Sequence, residues 1–327
     1  MVFSTREATP ADRPEIERLI SEMIPGVDVQ ARWRWLYETN PGGRALTWLA
    51  IAPTGEVAGC TSFFPFRLWL DGQEVRAALG GDGYVRPAWR RRGLGGLMHD
   101  ASRRDMEKHR IGCMYGAPGA MNLTPLKHGG SREVGHVTRF VRPVRVGTSL
   151  GGELFARVAK PRSSAALSPV IHGDARLDRI WQAAREDLRL AAIRDAAFYA
   201  WRFLDAPAHK QPPYVIERGG EPIGACALEL IGGGDELHIV DLVVVPGAWH
   251  ACLRAIAAHA ATNTRARTVS IKLFALDARV RKMWLAGYLE RDSKPFLCMI
   301  PTNGDRRFVD PQRWYYTGAD SDLDALD

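Results

Sequence analysis

The sequence repeats one plan twice, and this repetition constrains the fold more than any other feature. Each half has a Trp-Arg-aromatic-Leu segment, then a Gly-Glu segment before small apolar residues, then an Asp five residues before a Pro. The three pairs of matching segments are residues 33–36 and 201–204, 55–60 and 220–226, and 82–89 and 241–249. Because they keep their order and similar separations, they indicate a duplication.

The apolar periodicity predicts the same order of elements in both halves: two helices, three strands, a helix, a strand, a helix and a last strand. The first half has predicted helices at 9–23, 29–37, 93–108 and 119–128. Its predicted strands are 46–52, 57–70, a strand that follows the turn at 71–72 and ends near 85, 111–115 and 134–146. The second has predicted helices at 174–191, 195–204, 248–262 and 277–286, and strands at 214–218, 223–231, 236–245, 268–275 and 296–300. The predicted fold class is α/β (α+β), with a mixed, mostly antiparallel sheet flanked by helices in each half.

These patterns predict two tandem domains, residues 1–147 and 170–302. The segment between them, residues 148–169, is rich in Gly, Ser, Ala and Pro, which is typical of a linker. Residues 303–327 form a C-terminal tail. This tail contains Trp314, Tyr315 and Tyr316, so we expect it to dock on a domain.

Composition narrows the classes of protein. The five cysteines are scattered without a CxxC pair or a Cys/His metal spacing, so neither a disulfide scaffold nor a metal site is predicted. No apolar stretch is long enough for a transmembrane segment and the N-terminus lacks signal-peptide organisation, so we expect a cytoplasmic protein. The formal net charge is +7, but the arginines cluster locally, which favours an anionic small ligand over nucleic acid. The oligomeric state stays open.

The most informative local motif follows the third predicted strand. There Pro87 ends a strand, the triplet Arg90, Arg91 and Arg92 follows, and the glycines of residues 93–96 open a helix. The first amides of a helix lack partners and the helix dipole is positive there, so a phosphate can be held by main chain alone. Glycines let the phosphate approach, and arginines add charge-assisted hydrogen bonds. The motif therefore predicts a phosphate-binding loop.

The segment resembles motif A of the GCN5-related N-acetyltransferases, in which a Val-x-Pro strand end precedes Gln/Arg-x-x-Gly-x-Gly/Ala. The resemblance implies an acyl-coenzyme A co-substrate, acetyl-CoA or another acyl-CoA, transferred directly without a metal. The implied cofactor-binding residues are Tyr84, Val85, Arg90, Arg91, Arg92, Gly93, Leu94, Gly95, Gly96 and Asn122. For Asn122 a turn or cap role is an equal alternative. The matching segment of the second half, from His250 to Leu253, lacks both the arginines and the glycines, so only one coenzyme site is expected.

The catalytic residues that the resemblance implies are Asp82, Tyr84 and Tyr115. Acyl transfer to an amine needs a base and donors for the oxyanion. Asp82 is the candidate base, although Asp241 occupies the same place in the other half and suggests a structural role instead. A backbone amide near Tyr84 or Val85 would polarise the thioester. The tyrosine that serves many members as general acid is replaced by Leu126, with Tyr115 or His128 as substitutes.

The sequence thus favours an acyl-CoA-dependent N-acyltransferase acting on a small-molecule or saccharide acceptor. A softer likeness to proteins of cell-envelope polysaccharide synthesis suggests an amino sugar. Two alternatives stay open. One is a regulatory module that binds the coenzyme or an effector and has lost catalysis. The other is a transferase that uses aminoacyl-tRNA, against which the intact coenzyme loop argues.

Overall fold

The computed structural model describes residues 2–145, 163–207, 209 and 211–321 and has a mixed α/β fold. The chain divides into two compact units, each built from two segments. One comprises Met1–Gly135 with Lys294–Pro311, and the other His136–Ser293 with Gln312–Asp327. Residues 148–162 of the predicted linker lie outside the described residues. The predicted domain limits at residues 147, 169 and 302 stay a prediction.

The first half of the chain contains the predicted series of elements, preceded by a short strand that was not predicted. Its elements are β1 (Ser4–Glu7), α1 (Arg13–Met23), α2 (Val29–Arg32), β2 (Leu46–Ile51), β3 (Val57–Leu70), β4 (Gln73–Val85), α3 (Leu94–Asp105), β5 (Met114–Gly116), α4 (Ala120–His128) and β6 (Arg132–Pro143). The predicted start at Thr9 and Pro10 is a 3-10 turn that leads into α1, with a capping box between Thr9 and Asp12.

The second half follows the same order. Its elements are β7 (Ala165–Pro169), α5 (Arg176–Ala184), β8 (Leu190–Ala192), α6 (Ala196–Tyr199), β9 (Tyr214–Arg218), β10 (Glu221–Ile231), β11 (Glu236–Val244), α7 (Trp249–Asn263), β12 (Thr268–Phe274), α8 (Asp277–Leu285), β13 (Leu289–Met299) and β14 (Trp314–Thr317). The helix predicted for 174–191 was wrong in its last turn, because Leu190 pairs with Trp314 of β14 and local helix preference yields to that long-range pairing.

The Trp-Arg segments adopt the same unusual structure in both halves. Each α2 or α6 continues into a π-helical turn, Trp33–Glu38 in the first half and Ala200–Leu204 in the second. The Thr39 amide donates to the Arg34 carbonyl at 2.9 Å, which is the wider i to i−5 bond of a π-turn. These turns place large side chains in the core, where Trp35 and Trp201 are buried.

Strand pairing is mostly antiparallel, and each half has a parallel contact at the same point. β4 pairs antiparallel with β3 and parallel with β5, while β11 pairs antiparallel with β10 and parallel with β12. Each of the strands β4 and β11 carries a bulge just after its parallel contact ends. A bulge bends a strand and re-aims its side chains, and in both halves it lies next to the repeated aspartate. No helix within the described residues is long and apolar enough to cross a membrane.

Candidate active site

The predicted phosphate loop is an open turn that leads into α3. Gly93, the residue before α3, has φ +76°, which suits glycine, and Arg91 is also left-handed at φ +61°. The only main-chain bond from the first turn of α3 to this turn is Leu97 N–H to Gly93 O, at 3.1 Å, among the described residues. The sequence therefore folds locally as predicted, with a glycine at the position that the turn requires.

The amides of the turn form an unpaired row. From Arg91 to Gly96, no main-chain N–H donates a hydrogen bond to any part of the chain that the structure describes. A Cβ atom built on Gly95 or Gly96 would meet nothing within 4 Å. Packing within the protein therefore gives no reason for glycine at either position. A ligand that must approach the backbone closely does give one.

Two of the three loop arginines contact nearby aromatic rings. The Arg90 guanidinium lies 5.6 Å from the centre of the Tyr84 ring, and its Nε donates to the Val85 carbonyl at 2.9 Å. The Arg92 guanidinium lies 5.2 Å from the Trp89 ring. These contacts tie the turn to the end of β4 and keep cationic groups at its rim. Arg90 thus also has a structural role that the motif alone does not reveal.

The edge of β4 next to this loop is open. The pairing of β4 with β5 covers Ala78 with Met114 and Leu79 with Tyr115. Within the described residues β4 has no strand neighbours other than β3 and β5, so the stretch from Gly80 to Val85 keeps one free edge. An extended ligand can add to such an edge through main-chain hydrogen bonds.

Asp82 lies at the bulge of β4 and points into the core. It is 5% exposed and has φ +43°, a strained value for a residue with a side chain. Its Oδ1 accepts from Arg32 Nη2 at 2.6 Å, and its Oδ2 accepts from Tyr37 Oη at 2.8 Å and from Arg32 Nε at 3.2 Å. Both carboxylate oxygens are therefore occupied. Neither partner was predicted from the sequence.

The π-turn explains how Arg32 and Tyr37 reach one carboxylate. They are five positions apart in the sequence, and a π-turn has a wider repeat than the 3.6 residues of an α-helix, so both side chains can lie on one side of the turn. Tyr37 also contacts the Ser62 hydroxyl at 3.0 Å. Burial, and then the charge of Asp82, raise the pKa of Tyr37 well above its usual value, so its phenol stays protonated and donates.

The remaining predicted residues lie in different environments. Tyr115 is 4% exposed, with its ring 6.2 Å from those of Phe66 and Phe296, so it belongs to the core. Asn122 is exposed in the first turn of α4, and its amide donates to Gly119 O at 3.0 Å. Leu126 and His128 lie on the same helix, His128 exposed. The structure thus brings Tyr84 and Arg90 together at the loop and keeps Tyr115 inside.

A partly buried histidine that the sequence did not single out lies on α3. The His99 ring is 5.9 Å from that of Phe63, and α4 packs closely enough that a Cβ on Gly129 would lie 3.2 Å from the His99 Cβ. Burial lowers the pKa of His99 to about 4. Its imidazole is therefore neutral near pH 7.

This pKa predicts an acid-sensitive step in stability. Between pH 6.5 and 4 the unfolded chain binds a proton at His99 that the folded protein does not, so stability present above pH 6.5 is lost as the pH falls. We expect the wild type to lose up to about 3 kcal/mol more than His99→Leu over this range. Urea unfolding at several pH values measures the difference. His128→Leu, at an exposed site, should follow the wild type, and equal pH slopes for wild type and His99→Leu would contradict the assignment.

The matching loop of the second half has a different structure. Gly247 supplies a positive φ, but α7 begins at Trp249 and places His250 and Ala251 where α3 has Gly95 and Gly96. Cys252 is fully buried. Side chains therefore fill the positions that stay open in the first half.

Comparisons with known proteins identify the fold. No family model matches the sequence, and no curated protein matches it. Among solved structures, a GCN5-related N-acetyltransferase from Anabaena variabilis ATCC 29413 is similar, with a TM-score of 0.67 and 16% identity over 91% of this chain and 73% of that one. One from Kribbella flavida has a TM-score of 0.62 at 17% identity, covering 91% and 71% of the two chains.

An N-myristoyltransferase from Saccharomyces cerevisiae with bound myristoyl-CoA is also similar. Its TM-score is 0.56 at 12% identity, and the match covers 91% of this chain and 82% of that one. The chain therefore has the fold found in GCN5-related N-acetyltransferases and in this N-myristoyltransferase. The predicted mixed α/β class is confirmed at this level.

Proposed function

We propose that the chain is an acyl-CoA-dependent N-acyltransferase whose diphosphate site is the turn before α3. The observation that carries the proposal is the row of unpaired amides from Arg91 to Gly96, over which Gly95 and Gly96 leave open space. Unpaired amides at a helix start suit an anionic phosphate group. Arg91 and Arg92 are exposed beside them and add positive charge. The shared fold supports this reading.

The pantetheine arm would then lie along the free edge of β4. Gly80–Val85 continues directly into the loop, so a coenzyme held by its diphosphate can extend along this edge. Main-chain groups at Tyr84 and Val85 would pair with its amides, and an amide there would polarise the thioester carbonyl. Asn122 is a further proposed contact. The acyl group, acetyl or longer, would lie near the bulge at Asp82.

The proposed reaction is direct transfer. The acceptor nitrogen attacks the thioester carbonyl, an oxyanion forms, the carbon–sulfur bond breaks, and the amine proton passes to a base or water as the coenzyme A thiolate leaves. Because Asp82 is held by Arg32 and Tyr37, we propose that it positions the bulge and does not take that proton itself. The thiolate is a good leaving group and can depart without a tyrosine at position 126.

An amino sugar of cell-envelope polysaccharide synthesis is the proposed acceptor, and no metal is needed in this scheme. Calorimetry and native mass spectrometry with acetyl- and longer acyl-CoA test the coenzyme site, and thiol release with a panel of amines and amino sugars tests transfer. We expect binding of one acyl-CoA per chain and acceptor-dependent thiol release. Retention of tRNA at physiological salt without acyl-CoA binding would overturn the proposal.

A second candidate is a coenzyme-binding module without turnover. The occupied oxygens of Asp82 and the leucine at position 126 favour it, because neither offers an available proton acceptor or donor. Tight acyl-CoA binding with no thiol release for any acceptor would support this candidate over the enzyme.

A further inference from the structure

The C-terminal strand β14 occupies a groove of the second unit. β11 and β12 run parallel from Glu236 with Thr268 to Ile239 with Ile271 and then separate. Just beyond, Leu273 of β12 pairs with Thr138 of β6 and also with Thr317 of β14. A strand has two edges, so β14 takes the edge that β11 has left.

The side of β11 also contacts the inserted segment. A Cβ on Gly318 would lie 3.0 Å from the Val240 carbonyl oxygen, and the Tyr315 hydroxyl donates to the Leu242 carbonyl. The Tyr315 ring contacts two guanidinium groups, with Arg194 at 5.2 Å and Arg279 at 5.4 Å from its centre. The segment therefore contacts both β11 and β12, the two strands that line the groove.

A buried ionic cluster fixes the end of the segment. Arg194 is fully buried and pairs with Asp241 at 2.9 Å and with Asp320 at 2.6 Å. The Thr317 hydroxyl donates to Asp241 at 2.7 Å, and the Thr317 amide donates to Asp320 at 2.8 Å. One charged group of the segment, Asp320, thus completes a site whose other charges belong to the body of the unit. Without Asp320, the buried Arg194 guanidinium would keep Asp241 but would lack its second carboxylate partner.

The first unit has the same strand arrangement but leaves the groove open. There β4 and β5 separate after Leu79 and Tyr115, and no strand within the described residues pairs with the edge so exposed. We propose that the groove between β11 and β12 is a peptide-binding site whose resident ligand is the chain's own segment, residues 314–321. It binds by strand addition and by the salt bridge of Asp320 to Arg194. The comparison with a coenzyme groove rests on the proposed function; the peptide site does not.

Hydrogen exchange on the full chain tests whether the buried ionic cluster holds the segment in the groove. We expect Asp320→Asn to reduce amide protection over 314–321 at least ten-fold. Asp305→Asn removes a carboxylate of the same C-terminal region, outside the groove, and should leave that protection unchanged. Thr317→Val should act in the same direction as Asp320→Asn. Unchanged protection in both groove variants would overturn the role of the cluster.

Replacement of the segment by a separate peptide tests whether the segment is a ligand. A protease site inserted between Pro311 and Gln312, both exposed, allows the folded chain to be cut. We expect the cut segment to stay bound and to exchange with a labelled synthetic peptide of residues 312–327, and the Asp320→Asn peptide to bind at least ten-fold more weakly. Equal binding of both peptides, or no exchange while the cut chain stays folded, would overturn the proposal. If the uncut chain does not bind acyl-CoA, the proposed function is wrong, and the proposal of the peptide site is unaffected.

Discussion

Replacing Gly95 with leucine should weaken acyl-CoA binding at least about 100-fold while leaving the fold intact, which corresponds to about 3 kcal/mol of binding free energy. Gly95 lies in the first turn of α3, and the space above it is open within 4 Å. The Cβ of a leucine there meets no protein atom within 4 Å, and the side chain enters the space that a diphosphate must occupy to reach the amides. Calorimetric titration with acetyl-CoA measures the effect.

Stability and binding should move in opposite directions at this position. Glycine in a helix costs about 0.5–1 kcal/mol relative to alanine, so Gly95→Ala should raise the free energy of unfolding. The same variant should weaken acyl-CoA binding, but less than Gly95→Leu does. Gly93 is a poorer probe, because its φ of +76° would add backbone strain to any substitution.

The second half of the chain offers a matched control. His250 is exposed and takes the second position of α7, as Gly95 does in α3, so His250→Leu should leave acyl-CoA binding unchanged. Equal losses from Gly95→Leu and His250→Leu would contradict the assignment of one site to the first loop. Unchanged binding in Gly95→Leu would show that the diphosphate lies elsewhere.

The sequence was sufficient to predict the open turn before α3 because the needed features are local. A proline that ends a strand, a glycine with positive φ and a helix start all follow from neighbours in the chain. The order of elements was predictable for the same reason, since periodicity reports the local structure. The strands β1 and β8 are short, and β14 lies in a tail without a clear alternating pattern, so their existence depends on pairing with distant residues.

The partners of the repeated aspartates were not predictable, although the aspartates were. In both halves an arginine and a tyrosine five residues apart bind the carboxylate: Arg32 with Tyr37, and Arg194 with Tyr199. Alignment on the Trp-Arg segments hides this likeness. Arg32 directly precedes its π-turn and Tyr37 lies inside it, whereas Arg194 and Tyr199 both precede theirs. A buried carboxylate needs charged or hydrogen-bonding partners, but the sequence does not show which residues supply them.

Breaking the buried pair in the first half should destabilise the protein strongly. Arg32 and Asp82 have side chains 3% and 1% exposed, so Arg32→Met leaves an uncompensated charge in the core and should cost about 3–5 kcal/mol of unfolding free energy. Adding Asp82→Asn to Arg32→Met should recover part of this loss, because the buried charge is removed. Urea unfolding measures both variants. Arg67→Met breaks the exposed pair with Glu74 and should cost less than about 1 kcal/mol.

The same variants separate a positioning role of Asp82 from a proton-accepting one. The carboxylate holds a bulge with a strained φ of +43°, and the free edge of β4 passes through that bulge. If Asp82 positions this edge, Arg32→Met and Asp82→Asn should lower turnover to a similar extent, and the pH profile of kcat should keep its shape in both. If Asp82 accepts the proton, Asp82→Asn alone should remove the acidic limb of the profile, while Arg32→Met should only shift it. We expect the first outcome, because the Asp82 carboxylate is buried and both of its oxygens already accept hydrogen bonds from Arg32 or Tyr37.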